Sequence, residues 1–248
     1  MKFVVIGGTG LIGSKLIAKL RGRGHDAVSA SPKSGVNTLT GEGLAAILTG
    51  ADVVVDVSNS PSFADDAVMD FFQTSTRNQL QFEEEAGVGT HVALSIVGAE
   101  RLPESGYLRA KVAQENLIID SARPYSLLRA TQFFEFVGQI ADAATVGTEV
   151  RLPPGSLQPM AADDVVEALA RLATAAALNG TREVGGPQPF AMPELVRLQF
   201  EARGDTRTIV SDPTARYFGA LLTGTELVPA EGAELGQTRF EDWLTASS

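Results

Sequence analysis

The stretch "FVVIGGTGLIGSKLIAKL", residues 3–20, constrains the fold more than any other part of the chain. Phe3 to Ile6 are all apolar, as expected for a strand buried on both faces of a parallel sheet. Apolar residues then recur at Leu16, Ile17 and Leu20 with helical spacing, and the run stops at glycines. Between the two segments Gly7, Gly10 and Gly13 form a G-x-x-G-x-x-G turn. Glycine there allows unusual backbone angles and a close approach of the main chain to a pyrophosphate. The following helix N-terminus offers unpaired N–H groups and a partial positive charge. The glycine pattern also occurs in turns that hold no ligand. Its place between a buried strand and a helix is the context that points to a dinucleotide.

Strands and helices alternate over about the first 145 residues. "HDAVSAS", "ADVVVDVSN", "THVALSIVG" and "YSLLRA" read as strands. "EGLAAIL", the segment from Phe63 to Ala86, a segment from near Tyr107 through "KVAQENLIIDSA", and "TQFFEFVGQIADAA" read as helices. The alternation predicts an α/β fold, a doubly wound parallel sheet with helices on both faces. The last hundred residues are less regular. "RLPPGSLQPMAADD" reads as loop and short strand, Asp163 or Asp164 as the cap of "VVEALARLATAAAL", "GTREVGG" as a short strand, and Pro193 as first-turn residue of a further helix. No linker interrupts the chain. The expectation is one domain over residues 1–248, with roughly 150–248 contributing a smaller substrate-binding lobe.

Composition removes several classes of function. Lys and Arg number 20 against 30 Asp and Glu, a net charge of -10 with no basic run, which argues against nucleic acid and anionic membranes as partners. The absence of cysteine removes thiol nucleophiles, disulfides and thiolate metal sites. No apolar run reaches the roughly 18 residues of a membrane span. The N-terminus enters a strand and a glycine turn rather than a signal peptide, so a cytoplasmic location is expected. His25 and His91 have no second ligand at metal-binding spacing, and no metal is expected. Glu83, Glu84 and Glu85 read as a solvated helix face, and Trp243 as a packing anchor.

Which dinucleotide is favoured depends on the end of the second strand. An NAD site usually has Asp or Glu there to hold the ribose hydroxyls. This chain has Ala30-Ser31-Pro32-Lys33-Ser34, with no acid. Ser31 offers a hydrogen bond and Lys33 a cation to a 2′-phosphate, which favours NADP. Lys33 also reads as an ordinary loop lysine.

Ligands of an open parallel sheet bind at the carboxyl ends of the strands. Ser95 ends "HVALS", Ser58 and Asn59 end the preceding strand, and Thr131 follows "YSLLRA". Tyr107 and Lys111 lie four residues apart on one helix face and reach the same edge. Carbonyl reduction needs a hydride on carbon and a proton on oxygen. A tyrosine, with a pKa ordinarily near 10, moves that proton if a nearby cation stabilises its phenolate. A serine hydroxyl can hold the substrate oxygen. A Tyr and a Lys at this spacing also occur together on helices with no such role.

Gly7, Gly10, Gly13, Ser95 and "YLRAK", with the serine 12 residues before the tyrosine, resemble the short-chain dehydrogenase/reductase superfamily. The glycine spacing is similar to its extended or atypical branch. "AGVGTHVALSIVG", "SGYLRAK" and "PYSLLRATQFFEF" resemble small atypical members, including the group related to the nitrogen-metabolite-repression regulator. The resemblance implies an NADPH-dependent oxidoreductase acting on a small carbonyl or alcohol, with Tyr107 as general acid/base. Lys111 would lower the tyrosine pKa and bind ribose, and Ser95 would polarise the substrate. Gly7, Thr9, Gly10, Leu11 and Ile12 would line the pyrophosphate, and Ser31 and Lys33 would take the 2′-phosphate. Ser58 and Asn59 would pass near the adenosine ribose, and Thr131 and Phe133 would flank the nicotinamide. Relatives that lack the tyrosine or lysine act as sensors, so a non-catalytic NADP-binding regulatory protein is the alternative. A sugar-nucleotide epimerase is a third reading. Its weaknesses are a short C-terminal part and the missing acid.

Overall fold

The computed structural model describes residues 1–247. Its first half alternates as the periodicity predicts: β1 (Lys2–Ile6), α1 (Leu11–Gly22), β2 (Asp26–Ala30), α2 (Leu44–Leu48), β3 (Val53–Asp56), α3 (Asp65–Ala86), β4 (Thr90–Ile96), α4 (Gly106–Asp120) and β5 (Tyr125–Ala130). Next come α5 (Val137–Ala143), β6 (Thr145–Val146), β7 (Glu149–Leu152), β8 (Ser156–Leu157) and α6 (Ala162–Thr174). The chain closes with β9 (Gly180–Gly185), β10 (Phe190–Ala191), α7 (Met192–Arg203), β11 (Thr208–Ser211), β12 (Arg216–Tyr217), β13 (Ala220–Leu221), β14 (Glu234–Leu235) and α8 (Phe240–Ala246).

Seven strands form one sheet in the order β14-β9-β5-β4-β3-β1-β2. β1 pairs in parallel with both β2 and β3, and β3 with β4. The chain therefore leaves β1 towards β2 on one side and returns to β3 on the other. This reversal opens a crevice at the carboxyl ends of β1 and β3, where ligands of such sheets bind. Burial explains the strand sequences. Phe3 to Ile6 and Val53 to Val55 are all buried, as continuous apolar strands covered on both faces should be. Val4, Ile6 and Val54 pack with Leu44 and Leu48 of α2, and Val68 and Phe72 of α3 pack with Ala110 of α4.

The chain divides into two compact units. The first holds Met1–Ser95, Gly106–Arg129 and Val165–Arg182. The second holds Ile96–Ser105, Ala130–Asp164 and Glu183–Ser248. Each unit is assembled from separate stretches of the sequence. Within the second unit β7 pairs with β6 and β11, β8 with β10, and β12 with β13. Trp243 anchors this unit as expected, stacked on Phe240 at 6.0 Å and tilted against Phe134 at 5.6 Å.

Three local readings are corrected. "TQFFEFVGQIADAA" is not one helix. Phe133 is extended and bridges to Met160, a 3-10 turn covers Phe134–Phe136, and α5 starts only at Val137. Neither Asp163 nor Asp164 caps α6, which begins at Ala162 and holds both in its first turn. The Asp164 carboxylate instead accepts hydrogen bonds from Thr238, from N–H at 3.0 Å and from the hydroxyl at 3.2 Å. Glu83 is not on a solvated face. It is buried against His91, with Nδ1 2.8 Å from Oε1, while Glu84 and Glu85 are exposed.

Candidate active site

The strand-to-helix turn begins directly after Ile6. Gly7 has φ of +77°, and a Cβ there would lie 2.8 Å from Ser58 Cα. A larger residue would meet both the left-handed backbone penalty and the neighbouring chain. Gly13 answers a different need. A Cβ on it would press into the Gly7 carbonyl and lie 2.6 Å from Gly8 Cα. The bare glycine therefore lets α1 rest on the turn. Gly10 precedes α1 in extended conformation and gives it no side-chain cap. Gly13→Ala is expected to cost about 1–3 kcal/mol, by forcing the helix off the turn. Urea unfolding reads this directly, and an unchanged midpoint would refute the close-packing account.

Two polar side-chain atoms packed against this turn have no protein partner among the described residues. The Ser58 and Ser29 hydroxyls are buried and bond to nothing among the described residues. Buried hydroxyls are ordinarily paired. Ser58 lies against Gly7, and Ser29 Oγ would be 2.6 Å from a Cβ on Gly8. An open glycine cradle next to unpaired hydroxyls fits the phosphates and ribose of a dinucleotide. Thr9 and Gly10 are exposed at the rim, Leu11 is half-buried, and Ile12 is buried in α1. At the end of β2 the Ser31 N–H donates to Ser34 Oγ at 2.9 Å, which fixes a short turn over Pro32–Ser34. Ser31 is buried and Lys33 stands exposed on that turn.

Tyr107 and Lys111 lie one turn apart on α4. The half-buried Tyr107 ring meets Phe63 edge-on at 5.3 Å and Phe72 at 6.2 Å. Burial pushes its phenol up to about 12, against a hydrogen bond with Asn59 that pulls it down. The family resemblance implies a phenol lowered by Lys111. Here burial acts on the phenol in the opposite direction, and the Lys111 ammonium is engaged elsewhere. It donates to the Leu94 carbonyl at 2.9 Å and to Gln114 Oε1, and it lies 4.5 Å over the Phe72 ring. Burial lowers Lys111 to about 8, while Asp56 and then Glu115 hold it up.

These contacts bring several of the expected residues together. Asn59 joins Tyr107, and Ser58 joins Gly7. Lys111 bonds the carbonyl next to Ser95, whose buried hydroxyl has no partner among the described residues. Thr131 and Phe133 belong to the second unit. There Thr131 donates from N–H to Val184 O at 3.1 Å and from its hydroxyl to Gln158 O at 2.6 Å. Phe133 stacks on Phe136 at 5.6 Å. Sequence reasoning missed Asp56, Gln79 and Gln114, a buried polar cluster around Lys111. The one signal was an acid closing the valine strand "VVVD". No group of three His, Asp or Glu able to hold a metal occurs among the described residues, and no helix there is long and apolar enough to cross a membrane.

No protein-family model matches the sequence, and no curated protein does. Solved structures match its fold along nearly their whole length. MoeE5 in complex with UDP-glucose and NAD superposes with a TM-score of 0.78 at 18% identity, over 99% of this chain and 96% of that one. UDP-glucose 4-epimerase from Thermus thermophilus, complexed with NAD, gives 0.75 at 20% identity over 92% and 91%. RMD from Pseudomonas aeruginosa, complexed with NADPH, gives 0.72 at 17% identity over 99% and 96%. At these identities the likeness establishes the α/β fold.

Proposed function

We propose that this protein is an NAD(P)-dependent oxidoreductase of the short-chain dehydrogenase/reductase type, using NADPH with a small carbonyl or alcohol substrate. The observation that carries the reading is the joining of two features in one crevice. The Gly7–Gly13 cradle with its unpaired hydroxyls abuts the Ser58–Asn59 segment, and Asn59 in turn bonds Tyr107. A nicotinamide cofactor supplies and accepts hydride. The chain supplies the rest. Tyr107 holds a proton on its phenol and delivers it to the substrate oxygen. Ser95 offers a hydroxyl with no internal partner to that oxygen. Two of the Lys111 ammonium protons go to Leu94 and Gln114, and the ammonium lies over the Phe72 ring; we assign its remaining N–H to a ribose hydroxyl. The solved neighbours named with NAD or NADPH support the cofactor class, and the UDP-sugars in their names add nucleotide sugars to the substrates worth testing.

Titration of the purified protein with NADPH and NADH tests the cofactor reading. NADPH is expected to bind more tightly. Lys33→Ala should weaken NADPH by roughly tenfold, the worth of one charge-assisted hydrogen bond, and leave NADH unchanged. Equal loss for both nucleotides would remove Lys33 from the 2′-phosphate. No binding of either would remove the reading altogether.

One observation favours the alternative of a non-catalytic NADP-binding regulator. The Lys111 ammonium is turned to protein oxygens. Tight NADPH binding with no turnover of aldehydes, ketones, quinones or UDP-sugars would favour that alternative.

A further inference from the structure

Asp56 closes β3, whose other residues are all valine, and it is almost fully buried. Its carboxylate is held from three sides. Oδ2 accepts from Gln79 Nε2 of α3 at 3.0 Å and from Gln114 Nε2 of α4 at 2.9 Å, while Oδ1 accepts the Ser58 N–H at 2.8 Å. An ionised carboxylate is costly in such a place unless hydrogen bonds satisfy it. Three neutral donors do so here, and the Lys111 ammonium lies one hydrogen bond beyond them, on the far end of Gln114.

Gln114 is the link. Its amide nitrogen is committed to Asp56, so its oxygen faces the other way and receives the Lys111 ammonium. An amide has one donor end and one acceptor end, and a carboxylate accepts only. Asp56 therefore sets which end of Gln114 meets Lys111. With an uncharged amide at position 56, the Gln114 side chain could turn over and present N–H groups to the ammonium.

We propose that Asp56, acting through Gln114, is a positioning residue that holds the Lys111 ammonium at the cofactor crevice. The proposal rests on the reading of Lys111 as a cofactor-binding group. Its electrostatics agree with the geometry, since Asp56 holds Lys111 up against the lowering effect of burial. The other charged groups around the ammonium are accounted for. Glu115 of α4 also holds it up, but its carboxylate is clamped by Arg129 of β5 at 2.9 and 2.6 Å. Glu83 of α3 is taken by His91 of β4. Tyr107 lies one turn earlier on α4 and is neutral.

The chain has five lysines, Lys2, Lys15, Lys19, Lys33 and Lys111, so NMR of protein carrying 13Cε-labelled lysine can follow each one. The Lys111 signal is identified by its loss in Lys111→Met. In the parent it is expected to titrate near 8. Asp56→Asn and Gln114→Met should each move that midpoint down by about one pH unit, with the other four signals unmoved as the check of folding. NADPH affinity should fall in step, by about tenfold on the alkaline side and not at acid pH. An unchanged Lys111 midpoint in both variants would overturn the proposal. A lowered midpoint with NADPH affinity unchanged, in these variants and in Lys111→Met alike, would keep Asp56 as the positioning residue. It would refute Lys111 as a cofactor ligand.

Discussion

Tyr107→Phe is expected to remove turnover, by a factor of about 10² to 10⁴ in kcat, with NADPH affinity kept within a few-fold. The substitution deletes one oxygen and leaves the ring against Phe63 and Phe72, so the packing of α4 on α3 survives. What disappears is the proton and the hydrogen bond to Asn59. The raised phenol gives the prediction a direction. A group held at about 12 stays protonated through the neutral range and suits donation to a developing alkoxide in carbonyl reduction. Reduction should therefore show no alkaline loss from ionisation of Tyr107 itself. Any alkaline fall should follow Lys111, which burial lowers to about 8. The measurement is nicotinamide absorbance across pH with parent and variant. Activity that survives in the Phe variant would sink Tyr107 as proton donor, and it would move weight to the regulatory reading.

Local signals in the sequence carry the site's frame. The apolar run Phe3–Ile6 is buried throughout, and the glycine turn that follows it has the close packing its spacing requires. Those features depend on neighbours a few residues away, so periodicity and residue type expose them. The polar cluster behind Lys111 depends on contacts across the chain. Asp56 meets Gln79 and Gln114 at separations of 23 and 58 residues. Locally it shows only as an acid closing a valine strand, with nothing nearby that points to its partners. Glu83 escapes a local reading for a related reason. Its neighbours Glu84 and Glu85 are exposed, and a run of three acids looks solvated. A helix turns about 100° per residue, however. Thr76, Gln79 and Glu83 consequently share the inward stripe of α3 with the buried Phe72. Polar residues in that stripe break the apolar pattern by which a buried face is recognised.

The Glu83–His91 pair is where the largest loss of stability is expected. Both side chains are fully buried, and the ring nitrogen lies 2.8 Å from the carboxylate. Burial pulls the imidazole pKa down, but the charge and hydrogen bond of Glu83, helped by the charge of Asp56, outweigh it, with Arg123 opposing. The net direction is upward, so the folded protein keeps His91 charged beyond the ordinary histidine value of about 6.5. This stabilisation is fully present below that ordinary value and is lost as pH rises through the higher folded-state value. Glu83→Ala removes one partner and leaves a buried imidazole, a change that costs about 3–5 kcal/mol for a pair taken out of water. Glu83→Gln keeps the shape and removes the charge that holds the proton. It should cost less and flatten the pH dependence, because a neutral His91 then matches its unfolded state over most of the range. Urea midpoints of the three proteins across pH 5 to 9 measure both effects, a window set around the ordinary histidine value of about 6.5. A Glu83→Ala midpoint equal to the parent's would show that the pair adds nothing to stability. A parent curve that stays flat rather than falling above the ordinary histidine value would show that His91 is neutral in the fold.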